Sequence, residues 1–279
     1  MGITILTDST SEILPAEARK RNLVVIPIKT VFEDGVYLDG IDLTAETFYE
    51  KQAAAKKLPS TTQPSPMEFE DLFREAVERG DSIIAILIAE SLSGTIQSAN
   101  IARSNFEGEI YVIDSECTTI SLRLLVELAL ELREKGLSAG EIVEELEKAK
   151  KRIKLYAYVD TLEYLRKGGR LSKTAAFAGT LLDVKPIIYL RDSELGVKTK
   201  VRGVKNAQKE VIRLALEHGI DTDMPIAIGY SGNRDTFEPF YELAVDTVGK
   251  IDYVSAIGSV IGAHVGPGAG AIAYYKKDC

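Results

Sequence analysis

The sequence predicts a two-domain α/β protein, with a largely parallel sheet domain over residues 1–152 followed by an α+β domain over residues 153–279. Three observations carry that reading. The chain has 279 residues, beyond the size at which a single core usually stops growing. Its first half alternates short, β-branched, nearly continuous apolar runs with helix-start signals, as expected of strands covered on both faces. Past a charged helix ending near Arg152, the style changes to closely spaced strand candidates.

In order, residues 3–6 form an apolar run that ends at Thr7-Asp8-Ser9-Thr10-Ser11, side chains that open a turn before a helix near Pro15. Further strands are expected at 24–28, 83–88 and 110–113. Ser65-Pro66-Met67-Glu68 and Ser138-Ala139-Gly140-Glu141 each have the spacing of a capping box, the first with Pro in the first turn. In the second half, strands are expected at 155–159, 186–190, 196–201, 225–230, 254–257 and 269–275. Helices at 206–218 and 235–248 would cover one face of their sheet. The polar stretch Arg191-Asp192-Ser193-Glu194-Leu195-Gly196 reads as a hairpin loop.

The composition is 45% hydrophobic and 27% charged, enough for two cores and a lined cavity. A formal charge of -8 argues against affinity for nucleic acid phosphates or for an anionic membrane surface. No run reaches the ~18 to 20 apolar residues of a spanning helix, and the first residues lack the charged lead of a signal peptide, so a cytoplasmic location is expected. Two cysteines, Cys117 and Cys279, cannot build a disulfide framework or a zinc site and are read as reduced and structural.

Four polar clusters stand where sites on an open α/β sheet form. They are Thr7-Asp8-Ser9-Thr10, Ser60-Thr61-Thr62-Gln63-Pro64-Ser65, Ser91-Leu92-Ser93-Gly94-Thr95, and Gly262-Ala263-His264-Val265-Gly266-Pro267-Gly268. The second precedes a helix whose amides could attract an anion. Each also has a plain structural reading: Ser and Thr before helices are commonly N-caps, and His264 could bond local backbone. His218, before Gly219, reads as a helix C-terminal cap.

Together with Tyr164-Leu165-Arg166-Lys167-Gly168-Gly169-Arg170, Lys185-Pro186 and Val201-Arg202-Gly203, the order and spelling of these clusters resemble the DegV family along nearly the whole chain. That resemblance implies a two-domain DegV-like fold, Rossmann-like in its first part, with a fatty acid held between the domains. It implies that Thr61 and Ser93 bind the carboxylate, that Thr62 stands where a Ser is more usual, and that His264 lies near the headgroup. It implies no metal and no nucleotide cofactor. Relatives in the bacterial fatty acid kinase system hand the acyl carboxylate to a separate ATP-dependent fatty acid kinase subunit, which forms acyl phosphate. One departure falls at Thr119-Ile120-Ser121-Leu122-Arg123, where many relatives carry a glycine-rich stretch bordering the acyl tunnel.

A serine hydrolase acting on acyl esters is the alternative, with Ser93 as nucleophile and His264 as base, but the sequence lacks the Gly-x-Ser-x-Gly elbow. A nucleotide-binding module would need Gly-x-Gly-x-x-Gly or a phosphate loop, and neither occurs. For the kinase, the expected docking residues are Arg170 and Arg202. They sit within two basic stretches, Arg166, Lys167, Arg170, Lys173 and Lys198, Lys200, Arg202, Lys205, Lys209. Alternate spacing on a strand would put Lys198, Lys200 and Arg202 on one face.

Overall fold

The computed structural model describes residues 2–171, 183–191 and 193–277. In the first half the order is β1 (Ile3–Asp8), a 3-10 turn (Ser9–Ser11), α1 (Pro15–Lys20), β2 (Leu23–Ile26), β3 (Lys29–Phe32), β4 (Gly35–Leu38), α2 (Ala45–Ala54), β5 (Ser60–Thr62), α3 (Pro66–Glu78), β6 (Ser82–Leu87), α4 (Thr95–Arg103), β7 (Ile110–Asp114), α5 (Thr119–Glu134) and α6 (Ala139–Arg152). The second half continues with β8 (Ile153–Tyr158), α7 (Glu163–Lys167), β9 (Val184–Arg191), β10 (Glu194–Arg202), α8 (Val204–Glu217), β11 (Ala227–Tyr230), α9 (Arg234–Val248), β12 (Tyr253–Ala256), α10 (Ser259–Val265) and β13 (Gly270–Tyr275).

Strands β2-β1-β6-β7 form a wholly parallel four-stranded sheet. Its side chains alternate between two cores, as a period of two requires. Ile5, Ile84 and Ile86 face α5, whereas Leu6, Ile83, Ala85 and Leu87 face Phe69 and Phe73 of α3 and Ala99 of α4. Ser65 and Ser138 make the expected reciprocal caps with Glu68 and Glu141, which fixes where α3 and α6 begin.

A separate mixed sheet has the order β10-β9-β8-β13-β11-β12, antiparallel except for the β11–β12 pair. Helices α8 and α9 cover one face through Val211, Ile212, Phe237 and Phe240. The other face meets α5. This helix packs on β1 and β6 on one side and on β8, β11 and β13 on the other. Residues 119–127 are accordingly buried all round. The two halves therefore share one core across α5, and each also closes a cluster of its own on its outer face.

Two expectations need correction. A third sheet, β4-β3-β5, was not anticipated, because its strands are three or four residues long and too polar to form an apolar run. The alternation expected at Lys198, Lys200 and Arg202 is broken by a bulge between Val197 and Thr199. Leu195 and Val197 face the shared core, while Val201 faces the α8 side. Lys198 consequently lies beside Tyr156, Tyr189 and His218 on the α8 side, opposite to Lys200 and Arg202. Lys173, Asp192 and Cys279 lie outside the described residues. His218 is the α8 C-cap, and its Nδ1 donates to the Leu214 carbonyl at 2.9 Å. No helix among the described residues is long and apolar enough to cross a membrane.

Three buried carboxylates cross-link the fold, and two of them, Glu12 and Asp39, join the halves. Asp8 accepts from the Thr10 amide at 3.0 Å and from the Ile88 amide at 2.7 Å, binding the ends of β1 and β6 together. Glu12, left-handed at φ 58, accepts from the Thr119 hydroxyl at 3.0 Å and from the Gly258 amide at 2.8 Å. Asp39 accepts from both the amide and the hydroxyl of Ser259, each at 2.8 Å. Gly258, the N-cap of α10, has no side chain of its own, so these two carboxylates satisfy amides the helix leaves open. Burial raises the pKa of all three acids, Asp8 to about 6 and Glu12 well above its usual range.

A raised folded-state pKa means that the fold favours the protonated acid. Stability from Glu12 is then fully present below the ordinary carboxyl pKa and lost as pH rises through the folded value. Glu12→Gln keeps an acceptor for Gly258 and is expected to unfold in urea within about 1 kcal/mol of wild type at pH 7. Glu12→Ala leaves the Gly258 amide unsatisfied and should cost about 2 kcal/mol. Equal losses in the two variants would contradict the capping role.

Candidate functional site

A cavity of about 260 Å³ lies between the two sheets. It exists because adjacent strands present small side chains there: Ala157 of β8 and Ala271 of β13 are direct partners in the ladder and both line it. Ile28, Ile88, Ile257, Val260 and Ile261 make an apolar cluster along the opposite wall. Thr118 and Thr119, at the start of α5, also line it, so the stretch that departs from the glycine-rich pattern does border this space.

One end is polar, lined by Thr61, Thr62, Gln63, Ser93, Arg170 and His264. Thr61 is placed by β5, opposite Thr30 of β3, and its Oγ1 lies 2.9 Å from His264 Nε2. Ser93 sits in the turn before α4, with its Oγ 2.8 Å from Thr95 Oγ1. The Gln63 amide donates to the Gly94 carbonyl and to Ser98 Oγ, both at 3.0 Å, which joins the second cluster to the third. A Cβ at Gly94 would lie 2.2 Å from Gln63 Oε1, so a larger residue there would push the Gln63 side chain out of this crossing. Likewise a Cβ at Gly168 would lie 2.2 Å from His264 Nδ1, which explains why a glycine follows α7.

The structure thus brings Thr61, Thr62, Ser93 and His264 to one mouth. It separates the two arginines. Arg170 lines the cavity, half-buried, its Nε donating to the Leu92 carbonyl at 3.1 Å and its Nη1 to the Gly168 carbonyl at 2.6 Å. Arg202 ends β10 and is exposed. The first polar cluster does not line the cavity; Asp8 and Ser9 are spent on the Ile88 and Ile28 amides. Gln63 and Arg170 both lay inside motifs, so their place at the mouth was within reach of the sequence. Asp39 carried no sequence signal.

Burial, helped by the Arg170 charge, lowers the His264 pKa to about 4, so its imidazole is neutral at pH 7. The mouth therefore offers neutral donors, and Arg170 is the one ionised side chain lining the cavity among the described residues. Ser93 is paired with Thr95 and not with His264, and among the described residues His264 Nδ1 has no partner, so none of their carboxylates orients the ring as a hydrolase base requires. No group of three metal-ligating side chains occurs among the described residues. The buried Cys117 thiol is pushed up to about 12 by burial and stays protonated.

A mixed α/β protein with an apolar cavity between two sheets and a polar mouth of hydroxyls, a neutral histidine and one arginine is the class these features define. The chain belongs to the DegV family: residues 2–277 match the model described as an uncharacterised protein of that family. It is 34% identical to Protein DegV of Bacillus subtilis over 283 residues, covering 99% of this chain and 100% of that one. It is also 34% identical to a DegV domain-containing protein of Deinococcus radiodurans over 279 residues, covering 98% of each. Among solved structures, it is similar to a DegV family protein from Thermus thermophilus, described by its fatty acid binding. The TM-score is 0.89 at 31% identity, covering 99% of this chain and 100% of that one. It is similar also to DegV of Bacillus subtilis, described as a fatty acid binding protein. There the TM-score is 0.86 at 32% identity, with the same coverage.

The fold disfavours the imidazolium of His264, so this residue's contribution to stability falls as pH drops from 6.5 toward 4. In the ligand-free protein, the imidazole NMR signal that is lost in His264→Asn is expected to titrate near pH 4. A midpoint at 6.5 or above would show a solvated ring.

Proposed function

We propose that this protein binds one long-chain fatty acid in the cavity between its halves, with the acyl tail buried and the carboxylate held by Thr61, Thr62, Ser93 and His264. The observation that carries this reading is a cavity whose apolar walls end in a cluster of polar donors. The proposed division places residues 1–152 on one side of the ligand and 153–279 on the other, at the junction where α6 ends and β8 begins. Each buried methylene contributes about 0.8 kcal/mol, so a chain of ~16 carbons supplies on the order of 10 kcal/mol gross. Neutral donors at about 1 kcal/mol each fix where the headgroup stops.

The protein then presents that carboxylate, in the cytoplasm, to a separate ATP-dependent fatty acid kinase. There a carboxylate oxygen attacks the γ-phosphorus of ATP, the bond to the ADP oxygen breaks, and acyl phosphate and ADP result. This chain serves as the carrier: its described residues supply no phosphate-cradling loop and no metal-ligand cluster of their own. Lys200 and Arg202 lie on the sheet face that the cavity also uses, which supports docking of an acidic partner across the mouth, with Arg202 outside and Arg170 at the rim.

Thr61→Ala combined with Ser93→Ala is expected to weaken palmitate binding by calorimetry about ten- to thirtyfold, in line with two lost donors. Kinase-dependent acyl phosphate formation should fall further than binding does. The lipid-loaded protein with ATP and magnesium but no kinase should form none. Failure of the delipidated wild type to bind palmitate would end this reading.

A further inference from the structure

The six-stranded sheet ends on one side at β12, which pairs with β11 alone. Tyr253 donates to the Ile226 carbonyl at 3.2 Å and Ile257 to the Tyr230 carbonyl at 2.8 Å, so by alternation the Ser255 backbone also turns to β11. The amides and carbonyls of Val254 and Ala256 therefore point away from the sheet. Natural sheet edges are commonly blunted by Lys, Pro or a bulge, and the Tyr-Val-Ser-Ala run of β12 has none of these.

This edge borders a cleft of about 960 Å³ that shares no lining residue with the fatty-acid cavity. Gly258, at the start of α10, lines the cleft, whereas Val260 and Ile261 line the cavity. Of the nine large apolar side chains exposed among the described residues, Leu14, Ile41 and Val254 line the cleft, which gathers into one place what is elsewhere scattered. Ser255 lines it as well. That residue is 5% exposed, and its Oγ has no hydrogen-bond partner among the described residues, a cost that a guest's amide or carbonyl would remove.

Charge decides what the guest is. The cleft is lined by Glu12, Glu17, Asp39, Glu46 and Glu50 against Arg123 and Arg234. Arg123 is matched by Glu17 and Glu127, and Arg234 lies 3.7 Å from Glu238. Glu12, Asp39, Glu46 and Glu50 make no ion pair among the described residues, so the surplus is negative. A second copy of this chain, at a formal charge of -8, would bring like charge to that rim.

We propose that the β12 edge and this cleft bind an extended, basic segment of a partner protein, which adds to the six-stranded sheet as a further strand. Its backbone bonds Val254 and Ala256, its apolar side chains cover Leu14 and Ile41, and its cations meet Glu46 and Glu50. The surface is opposite in charge to the basic one near the mouth and takes the opposite kind of segment. It does not depend on the fatty-acid reading.

The test titrates the full chain with fluorescein-labelled peptides of ~8 residues that alternate Lys with Val, long enough to span an edge strand. Two controls carry Glu in place of Lys, or a methyl group on every backbone amide. Fluorescence anisotropy should show the Lys peptide binding at least about tenfold tighter than either control. Val254→Pro removes an outward donor and no bond to β11, and should weaken that binding about five- to tenfold. Glu46→Lys combined with Glu50→Lys should weaken it at least about tenfold. Both variants should keep the wild-type affinity for palmitate, which shows that they fold. By amide hydrogen exchange, the bound peptide should slow Val254 and Ala256 and leave Ser255, already bonded to β11, unchanged. Lys-peptide binding that is absent, that the controls match, or that leaves the exchange of Val254 and Ala256 unaltered would overturn the proposal. So would a concentration-dependent dimer in sedimentation that protects the same two amides, because the edge would then belong to a second copy.

Discussion

The N-terminus of α10 is held by carboxylates that belong to the other half of the molecule. Glu12 takes the Gly258 amide and Asp39 takes the Ser259 amide and hydroxyl, while Ser259 also reaches Thr30 at 2.8 Å. The Thr61–His264 side of the mouth follows from this clamp. Helix α10 is only seven residues long, so fixing its first turn fixes His264 in its second. Thr30, in turn, lies opposite Thr61 in the small sheet, so one network sets both partners of the Thr61–His264 contact. The acids are costly to bury as ions, and their raised pKa values are the physical trace of that cost.

Helix α5 does for the apolar part what α10 does for the polar part. Because it is buried against both sheets, the halves cannot drift apart without exposing the principal core. The cavity beside it survives because Ala157 and Ala271 decline to fill the gap, and interiors otherwise close to near-crystalline density. Glu12 links the two helices directly, through Thr119 of α5 and Gly258 at the start of α10.

How much of this could be read in the sequence depended on the range of the interactions. Local signals were legible: the Ser65 and Ser138 capping boxes mark their helices, and the run at 83–88 is β6. The polar residues of the mouth were legible as motifs, and Thr61, Thr62, Ser93 and His264 do line one cavity. The small sheet was hidden because residues such as Lys29 and Thr30 carry no strand-like run and pair only through tertiary contact. Arg170 and Arg202 looked alike as motif arginines, yet one is drawn inward by the Leu92 and Gly168 carbonyls, a contact no local pattern encodes. The bulge at Lys198 reversed a face assignment that rested on perfect alternation.

The central claim is that tail burial binds the ligand and the clamped mouth merely positions it. The most direct measurement is organic extraction of the purified, undenatured preparation followed by quantitative mass spectrometry of the lipid. About one long-chain fatty acid per chain is expected, retained through gel filtration because a buried tail of ~16 carbons exchanges slowly. No co-purified fatty acid, together with no uptake when palmitate is added, would contradict the account.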